Sequence, residues 1–288
     1  MRDLGLVVTY GEYVDERDLF ETAPIQARLE DLHAAFEDPS VHAILTVIGG
    51  WNANQILDGI DYDLIRAHPK IFCGYSDITV LNGAFLRRAG LISYNGPHFS
   101  TFGMRDRIAY TLESFRQAFF QAQPYAWPVS ETWSSDDWFI DQDARNPIQS
   151  PGLVVLQEGS AEGQVIGGNL STHVLLHGTP YLPDLRGRIA VLESVGSPME
   201  LDRHLQALLH QPGGSELAGV VFGRSRPELG VTLEHLAYTV RTKPSLRGKP
   251  VLCNLDFGHT SPNGVVPIGG RWRVEAEGEH ARIQVLRH

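Results

Sequence analysis

Residues 70–77 are Lys70-Ile71-Phe72-Cys73-Gly74-Tyr75-Ser76-Asp77, a short apolar run followed by a glycine and a serine. Apolar residues then recur at close to helical spacing, at Ile78, Leu81, Phe85 and Leu86. The pattern predicts a buried strand that turns into a helix at Ser76 and ends at Gly90. A serine on such a turn presents its hydroxyl above the sheet edge, and the next backbone N–H can face a developing oxyanion. The alternative is that Ser76 or Asp77 only caps the helix, and the tetrapeptide 74–77 by itself favours the cap.

Strand and helix patterns alternate through the first half of the chain. Strands are expected at residues 6–9 and 41–48, the second ending in Gly49-Gly50. Helices are expected over residues 105–121 and around the apolar positions Ile25, Leu29, Leu32 and Phe36. The alternation predicts a parallel sheet with helices on both faces, whose ligand crevice lies beyond the carboxyl ends of the strands. Gly49-Gly50 and Ser76 both fall at that edge.

The composition changes over residues 123–152, which contain four prolines and three tryptophans. Proline and polar residues predict an irregular connection here. The tryptophans, Trp127, Trp133 and Trp138, have two explanations of equal weight. They pack the connection against a domain, or they belong to a loop that covers a ligand with aromatic faces.

The second half of the chain is richer in short strands. Strands are predicted at residues 153–156, 163–166, 188–192, 219–222 and 251–255, with a hairpin over 272–286 and helices at 170–176, 198–210 and 233–242. These patterns predict an α/β domain with a mixed or antiparallel sheet. The expected organisation is an N-terminal α/β domain at residues 1–122, a linker at 123–152 and a C-terminal α/β domain at 153–288.

Charge and composition exclude several classes of protein. A net charge of -10, from 24 basic and 34 acidic residues, argues against a nucleic-acid polymer as partner. Cys73 and Cys253 lie in apolar runs and predict buried side chains, with no disulfide or metal site. Because no apolar stretch reaches the roughly 18 residues of a membrane span, a cytoplasmic protein without a membrane partner is expected. Ligand spacing for a metal is lacking, so neither a metal nor another cofactor is expected.

A serine nucleophile needs a base and a third residue that orients the base. His259 is the first candidate base, because it follows a predicted strand in the small-residue loop Phe257-Gly258-His259-Thr260. His98, in Gly96-Pro97-His98, is the second candidate. Glu193 ends an apolar strand and is the preferred orienting carboxylate. Spacing alone does not single out these residues, because the chain has 12 histidines and 34 acidic residues.

Five segments together resemble the LD-carboxypeptidase family of serine peptidases, in the order found in that family. They are Gly49-Gly50-Trp51-Asn52-Ala53-Asn54, Phe72-Cys73-Gly74-Tyr75-Ser76-Asp77-Ile78-Thr79, Gly167-Gly168-Asn169-Leu170, Leu192-Glu193, and Gly258-His259-Thr260 with Pro267-Ile268-Gly269. The first segment, followed by Ile60-Asp61-Tyr62-Asp63, is more similar to the microcin C self-immunity branch than to the murein-recycling branch. The murein branch usually has an arginine just before the glycine pair, where this chain has Ile48.

The resemblance implies a site between two α/β domains. In that site Ser76 is the nucleophile, His259 the general base and then acid, and Glu193 the residue that orients His259. The backbone N–H groups of Gly50 and Asp77 are the expected oxyanion hole.

The resemblance also implies a homodimer, since members of the family are commonly dimers. This chain departs from the family in one respect, because it lacks the strand and helix that normally precede the segment beginning at Leu4. Either the start is truncated, or the N-terminal sheet is one strand short.

In the immunity branch the substrate is a peptidyl or aminoacyl nucleotide, cleaved where the terminal aspartyl residue joins the nucleotide. The resemblance therefore implies a hydrolase that acts on processed microcin C and confers antibiotic resistance. An adenine ring needs an aromatic surface, and the candidate substrate-binding residues are Trp51, Asn52, Asn54, Trp133 and Trp138. One alternative is a murein tetrapeptide LD-carboxypeptidase of peptidoglycan recycling, which needs a cation for the terminal carboxylate. Another is a non-catalytic protein that binds a peptide or nucleotide.

Overall fold

The structure, a computed structural model, describes residue 1 and residues 4–288. Within these residues the chain forms a four-stranded sheet, an eight-stranded sheet and a two-stranded hairpin. The strands are β1 (Ala43–Leu45), β2 (Ile71–Cys73), β3 (Ser93–Asn95), β4 (Tyr125–Ala126), β5 (Thr132–Trp133), β6 (Ile148–Gln149), β7 (Val154–Gln157), β8 (Gly159–Asn169), β9 (Ile189–Glu193), β10 (Gly219–Gly223), β11 (Val251–Leu255), β12 (Val266–Ile268), β13 (Arg271–Glu277) and β14 (His280–Arg287). The α-helices are α1 (Ile25–Glu37), α2 (Tyr62–Ala67), α3 (Thr79–Ala84), α4 (Ala109–Phe120), α5 (Leu170–His173), α6 (Pro198–Leu209) and α7 (Leu233–Arg241).

The four-stranded sheet has the order β1-β2-β3-β12. Its first three strands are parallel, as the alternation of strands and helices predicted. The fourth, β12, comes from the second half of the chain and runs antiparallel to β3. Phe36 of α1 and Phe72 of β2 stack in the core beside this sheet, with ring centroids 6.5 Å apart. Both halves of the chain therefore contribute strands to one sheet.

The eight-stranded sheet has the order β4-β14-β13-β8-β9-β10-β11-β7 and is mixed, which confirms the prediction. Strands β8 to β11 are parallel to one another, and their outer neighbours are antiparallel. Alternate residues of β9 enter different cores: Leu192 packs with the core beneath α6, and Val191 packs with the core around Trp272. Because β9 is buried on both faces, its last residue, Glu193, is held at a fixed position.

The helices lie where the periodic apolar residues predicted them. α1 buries Leu29 and Leu32 on one face, and α6 begins at a capping box formed by Ser197 and Glu200. The helical segment after Ser76 ends at Gly90, which has a φ of 69°. Nowhere in residue 1 or residues 4–288 does a helix have the length and apolar character needed to cross a membrane.

The first predicted strand is wrong: residues 6–9, which the structure describes, form no strand. A strand needs a hydrogen-bonded neighbour, and β1, the outer strand of the small sheet, is paired only with β2 in the described sheet. Val7 is 93% exposed, so the apolar run does not mark burial. The strand predicted at residues 41–48 is also shorter than expected. β1 ends at Leu45 because the chain then leaves the sheet and brings Gly49 against Ser76.

The segment at residues 123–152 is more ordered than an irregular connection. β4 joins the edge of the large sheet, and β5 pairs with β6. Trp127 is 6% exposed and packs on Trp272 with ring centroids 5.1 Å apart, so this tryptophan anchors the segment. Ser134 and Ser261 exchange backbone hydrogen bonds of 2.7 and 2.8 Å, which joins the segment to the loop that contains His259.

Candidate active site

Ser76 lies on a sharp turn at the carboxyl end of β2. A short 3-10 helix, Ser76–Ile78, continues from the turn into α3. The φ of Ser76 is 62°, in the left-handed region, which costs a non-glycine residue about 1–3 kcal/mol. A Cβ on Gly74 would collide with the hydroxyl of Thr46, so glycine allows the chain after β1 to pass close to the turn. The strand-to-helix turn predicted from the sequence is therefore present in a strained form.

His259 lies between Ser76 and Glu193. Its Nε2 is 3.0 Å from Ser76 Oγ, and its Nδ1 is 2.8 Å from Glu193 Oε1. Glu193 is the last residue of β9, and His259 follows β11, so the carboxyl ends of strands in two sheets meet here. Since the Ser76 hydroxyl contacts an imidazole, the interpretation of Ser76 as a helix cap does not hold.

Glu193 is buried and held by a second hydrogen bond. The Nδ2 of Asn169 donates to the same Oε1 of Glu193 over 2.7 Å, and the backbone N–H of Asn169 donates to Thr79 Oγ1 over 2.9 Å. Glycines leave room for the carboxylate: a Cβ on Gly258 would lie 2.6 Å from Glu193 Cγ, and one on Gly223 would lie 3.1 Å from Glu193 Cβ. The carboxylate can therefore fix the orientation of the imidazole.

The pKa of His259 is set by two opposing effects. Burial lowers it, because a charged imidazolium loses its water, while the charge and hydrogen bond of Glu193 raise it. The balance leaves the pKa of His259 above its ordinary value. The side chain keeps 26% of its surface exposed, whereas Glu193 keeps 2%, so a ligand can reach the histidine but not the carboxylate.

His98, the second candidate base, has a different place. Its Nε2 lies 3.2 Å from the backbone N and 3.0 Å from the backbone O of Tyr75, and its ring stacks on the Tyr75 ring at 4.0 Å. Burial lowers the pKa of His98 to about 4, so the ring is neutral at pH 7. The structure therefore pairs Ser76 with His259, and His98 supports the backbone of the turn before Ser76.

The glycine pair predicted for the oxyanion hole packs directly on the turn. A Cβ on Gly49 would lie 2.9 Å from Ser76 Cβ and 3.5 Å from the backbone N of Asp77. A Cβ on Gly50, whose φ is 148°, would lie 3.4 Å from Asp77 Oδ2. The structure thus brings Gly50 and Asp77 to the same place beside Ser76.

The three substrate-binding candidates after this glycine pair differ in their surroundings. Trp51 is 89% exposed, and Asn54 is also exposed. The side chain of Asn52 accepts from Arg28 over 3.2 Å and donates to Thr22 Oγ1 over 3.1 Å. Asn52 therefore braces its own loop, and Trp51 is free to meet a ligand.

The two linker candidates, Trp133 and Trp138, are half-buried. Trp133 lines a cavity of about 420 Å³ together with Ser134 and Ser261, two residues beyond His259. Trp138 has edge contact with Phe139, at 5.9 Å between ring centroids. The cavity places Trp133 next to the loop of His259, and the structure gives no such cavity contact for Trp138.

A buried ion pair holds this part of the linker. Arg224 and Asp256 bond to each other at 1% and 2% side-chain exposure. Asp256 also accepts from the backbone N–H of Ser130 over 2.9 Å, and Arg224 donates to Ser150 Oγ over 2.7 Å. Ser130 and Ser150, which flank the hairpin of β5 and β6, are thus tied to Asp256 and Arg224, the residues that directly follow β11 and β10.

Sequence reasoning gave no role to Asn169 or to this ion pair, and it left His98 open as a second candidate base or a loop residue. Asn169 stood in a family segment, and its position after a glycine pair at the end of a strand was the available signal. Nothing in the sequence pattern pairs Arg224 with Asp256, because their contact depends on two parallel strands lying side by side.

The fold and these contacts define the class of the protein: an α/β protein in which a serine on a strand-to-helix turn meets a histidine and a buried glutamate. The LD-carboxypeptidase N-terminal domain matches residues 1–96, and the LD-carboxypeptidase C-terminal domain matches residues 162–274. The chain belongs to the LD-carboxypeptidase family, and it is an enzyme, a serine carboxypeptidase.

Two relatives extend over nearly the whole chain. The protein YocD of Bacillus subtilis is 43% identical over 287 residues, which cover 99% of this chain and 88% of YocD. The murein tetrapeptide carboxypeptidase of Pseudomonas aeruginosa is 30% identical over 272 residues, 92% of this chain and 82% of that enzyme.

Two solved structures have the same fold. The MccF-like protein from Bacillus anthracis superposes with a TM-score of 0.98 at 43% identity, covering 100% of this chain and 89% of that one. The microcin C7 self-immunity protein MccF, solved in complex with aspartyl sulfamoyl adenosine, has a TM-score of 0.84 at 27% identity, covering 96% and 85%.

Proposed function

We propose that this enzyme cleaves an amide or acyl bond in a peptidyl or aminoacyl nucleotide, such as processed microcin C, through Ser76, His259 and Glu193. The observation that carries the proposal is the position of His259, 3.0 Å from Ser76 Oγ and 2.8 Å from Glu193 Oε1. A base within hydrogen-bond reach of a serine, itself oriented by a carboxylate, is what activates a hydroxyl for attack.

The first step forms an acyl-enzyme. Glu193 accepts from Nδ1–H of His259, which leaves Nε2 free to take the proton of the Ser76 hydroxyl. The Oγ bonds to the substrate carbonyl carbon, and the carbonyl oxygen becomes an oxyanion. When this intermediate collapses, the proton on Nε2 passes to the leaving nitrogen, and the nucleotide part departs.

The second step reverses these roles with water. His259 takes a proton from water, and the hydroxide attacks the acyl carbon on Ser76. The proton then returns to Oγ, which leaves the free carboxylic acid and the starting enzyme. In both steps the backbone N–H groups of Gly50 and Asp77 stabilise the oxyanion, where one donor is typically worth about 10²–10³ in rate.

The proposal of a nucleotide substrate rests on two tryptophan side chains near the site. Trp133 lines the cavity of about 420 Å³ beside the His259 loop, and Trp51 is exposed next to the glycine pair. Trp51 offers a flat surface for a nucleobase, and Trp133 offers the face opposite the Arg224 guanidinium, which lies 5.5 Å from its ring centroid. The solved MccF complex holds aspartyl sulfamoyl adenosine in a protein of the same fold.

A murein tetrapeptide is the second candidate substrate, and one observation favours it. Arg107 lines the same cavity and supplies the cation that a terminal carboxylate needs. Against it, Ile48 stands where the murein branch usually has an arginine. The relative in Pseudomonas aeruginosa that is named for murein tetrapeptide is 30% identical to this chain.

The proposal also includes the organisation of the molecule. Residues 1–122 and 153–288 act as two domains that the linker 123–152 connects, and the site lies between them. The enzyme works in the cytoplasm as a homodimer. Light scattering after gel filtration tests the dimer, for which twice the mass of 31.9 kDa is expected.

Incubation of the protein with aspartyl sulfamoyl adenosine and, separately, with a murein tetrapeptide tests the substrate by mass spectrometry. Release of aspartate from the first compound is expected. Release of the terminal residue from the second would favour the murein alternative, and binding without cleavage of either would support a non-catalytic role. Ser76→Ala should fold normally and lose turnover by a factor on the order of 10⁶. Substantial turnover by this variant would refute the role of Ser76.

A further inference from the structure

The side chain of Asp77 is a buried carboxylate next to the nucleophile that the proposed reaction does not use. Asp77 is 4% exposed, and its backbone N–H is the proposed oxyanion donor. Its Oδ2 accepts the backbone N–H of Ala53 over 2.7 Å. This donor belongs to residues 49–53, which contain the glycine pair and are called the glycine loop below.

The glycine loop also binds Arg28 of α1. Arg28 Nη1 donates to the backbone O of Asn52 over 3.1 Å and to its Oδ1 over 3.2 Å. The other guanidinium nitrogen donates to Gln55 Oε1 over 2.9 Å. The loop is therefore bound by a buried carboxylate at the N–H of Ala53 and by a guanidinium at the oxygen atoms of Asn52.

The spacing between the loop and the turn leaves little freedom. The Cβ position of Gly49 is 2.9 Å from Ser76 Cβ, and that of Gly50 is 3.4 Å from Asp77 Oδ2. The residues just before the loop are held by backbone hydrogen bonds, from the N–H of Thr46 to Cys73 O over 3.1 Å and from the N–H of Ser100 to Val47 O over 3.2 Å. Within residues 49–53 the long-range hydrogen bonds involve side chains, and the one to the Asp77 carboxylate is buried.

We propose that the Asp77 carboxylate is a positioning residue that holds the glycine loop against Ser76, so that the loop and the Asp77 N–H form one oxyanion site. The proposal rests on the proposed function. Asp77 acts twice in it: its backbone donates to the oxyanion, and its side chain fixes the second donor. Without an acceptor at this position, the N–H of Ala53 loses its partner, and the loop can move away from Ser76.

Two variants of nearly the same shape as aspartate separate the effect of the hydrogen-bond acceptor at position 77 from the effect of side-chain volume. Asp77→Asn keeps one oxygen that can accept from Ala53, whereas Asp77→Leu keeps the branching and has no acceptor. Asp77→Leu should lower kcat for aspartyl sulfamoyl adenosine by about 10²–10³ with KM within about threefold, as the loss of an oxyanion donor does. Asp77→Asn should stay within about tenfold of the wild type.

A second readout does not depend on the natural substrate. A fluorophosphonate bonds through phosphorus to a serine Oγ, fluoride leaves, and the hydroxyl proton passes to the base. Its labelling rate at Ser76, followed by mass spectrometry, depends on His259 and on the oxyanion site alone. The labelling rate should follow kcat: Asp77→Asn should label at close to the wild-type rate, and Asp77→Leu should label far more slowly.

Asp61 provides a matched control. Its Oδ1 accepts two backbone N–H groups, from Asp63 over 3.0 Å and Leu64 over 2.9 Å, at the start of α2. Asp61→Leu should lower the melting temperature and leave kcat and the labelling rate unchanged. A purely structural role of Asp77 would give its Leu variant the same result.

The outcomes separate this proposal from the proposed function. Wild-type kcat or labelling in a folded Asp77→Leu protein overturns the role of the carboxylate alone, as does an equal loss in Asp77→Asn. If Asp77→Leu does not fold, the Asn variant decides: near wild-type rates support the proposal, and a loss of 10²-fold or more overturns it. Absence of Ser76 labelling in the wild type overturns both the proposed function and this role.

Discussion

At the scale of single residues, the protonation state of His259 controls the proposed reaction. The base must be neutral, and Glu193 raises its pKa above the usual 6.5 against the effect of burial. We expect kcat/KM to fall as pH drops through a value above 6.5. Glu193→Gln removes the charge that raises the pKa, so the acidic limb should move to lower pH and the plateau should also fall. A pH profile from 4.5 to 9 checks this, and an unmoved acidic limb would contradict it.

His173 gives a prediction about stability. It is 1% exposed, neither ring nitrogen has a hydrogen-bond partner among the described residues, and burial lowers its pKa to about 3. The unfolded chain therefore binds a proton near pH 6.5 that the folded chain does not, so stability present above pH 6.5 is lost as pH falls toward 3. The loss between pH 7.5 and 5 should be about 2 kcal/mol for this group.

The variant His173→Leu should remove that part of the pH dependence. Urea unfolding at the two pH values measures it, and the exposed His68→Leu serves as the control that leaves the difference unchanged. An identical pH dependence in wild type and His173→Leu would show that His173 does not carry this effect.

Residue-level prediction from the sequence was possible where a family segment marked the position. Ser76, His259 and Glu193 were chosen from motifs, and the structure places them within hydrogen-bond reach. Spacing could not separate His98 from His259, because both follow strands in small-residue loops. The difference is that His98 faces the backbone of Tyr75, a contact fixed by the tertiary fold.

At the scale of elements, the hairpin of β5 and β6 depends on the buried pair of Arg224 and Asp256. Removing one partner leaves a buried charge without compensation, so Arg224→Met should lower the free energy of unfolding by about 3–5 kcal/mol. Arg66→Met is the control, because the side chain of Arg66 is 54% exposed in its pair with Asp63 and should be worth less than about 1 kcal/mol. Guanidinium unfolding checks both, and equal effects would contradict the role given to burial.

Local patterns predicted most elements and missed those that depend on distant partners. α1, α6 and α7 follow from apolar spacing, and β9 to β11 follow from short apolar runs. Residues 6–9 form a short apolar run like that of a strand, yet no neighbour pairs with them in the described sheets. β12 was not predicted, because its three residues form a strand only by pairing with β3, which lies far away in the sequence.

At the scale of the whole molecule, two tryptophans of the linker have different expected roles, one in binding a ligand and one in packing. Trp133 lines the cavity, whereas Trp127 is buried against Trp272. Stacking on a base is worth about 1–3 kcal/mol, so Trp133→Ala should lower kcat/KM for aspartyl sulfamoyl adenosine by about 5- to 150-fold. Trp127→Ala should lower stability and leave kcat/KM of the folded enzyme unchanged. An unchanged kcat/KM in Trp133→Ala would withdraw the stacking role.

The alternation of strands and helices was enough to predict an α/β fold with a strand-end site. It could not predict that β12, from the second half of the chain, belongs to the small sheet. Nor could it predict the β-bridge between Ser134 and Ser261 beside His259. These contacts join the halves around the site, and they depend on how two sheets pack, which single-strand patterns do not encode.

The central claim is that His259 and Glu193 activate Ser76 as a nucleophile. Reaction of the wild-type protein with a fluorophosphonate, followed by peptide mass spectrometry, tests it most directly. We expect one adduct, on Ser76, and its loss in Ser76→Ala and His259→Gln. An adduct on another residue, or labelling of Ser76 at the wild-type rate in His259→Gln, would contradict the account.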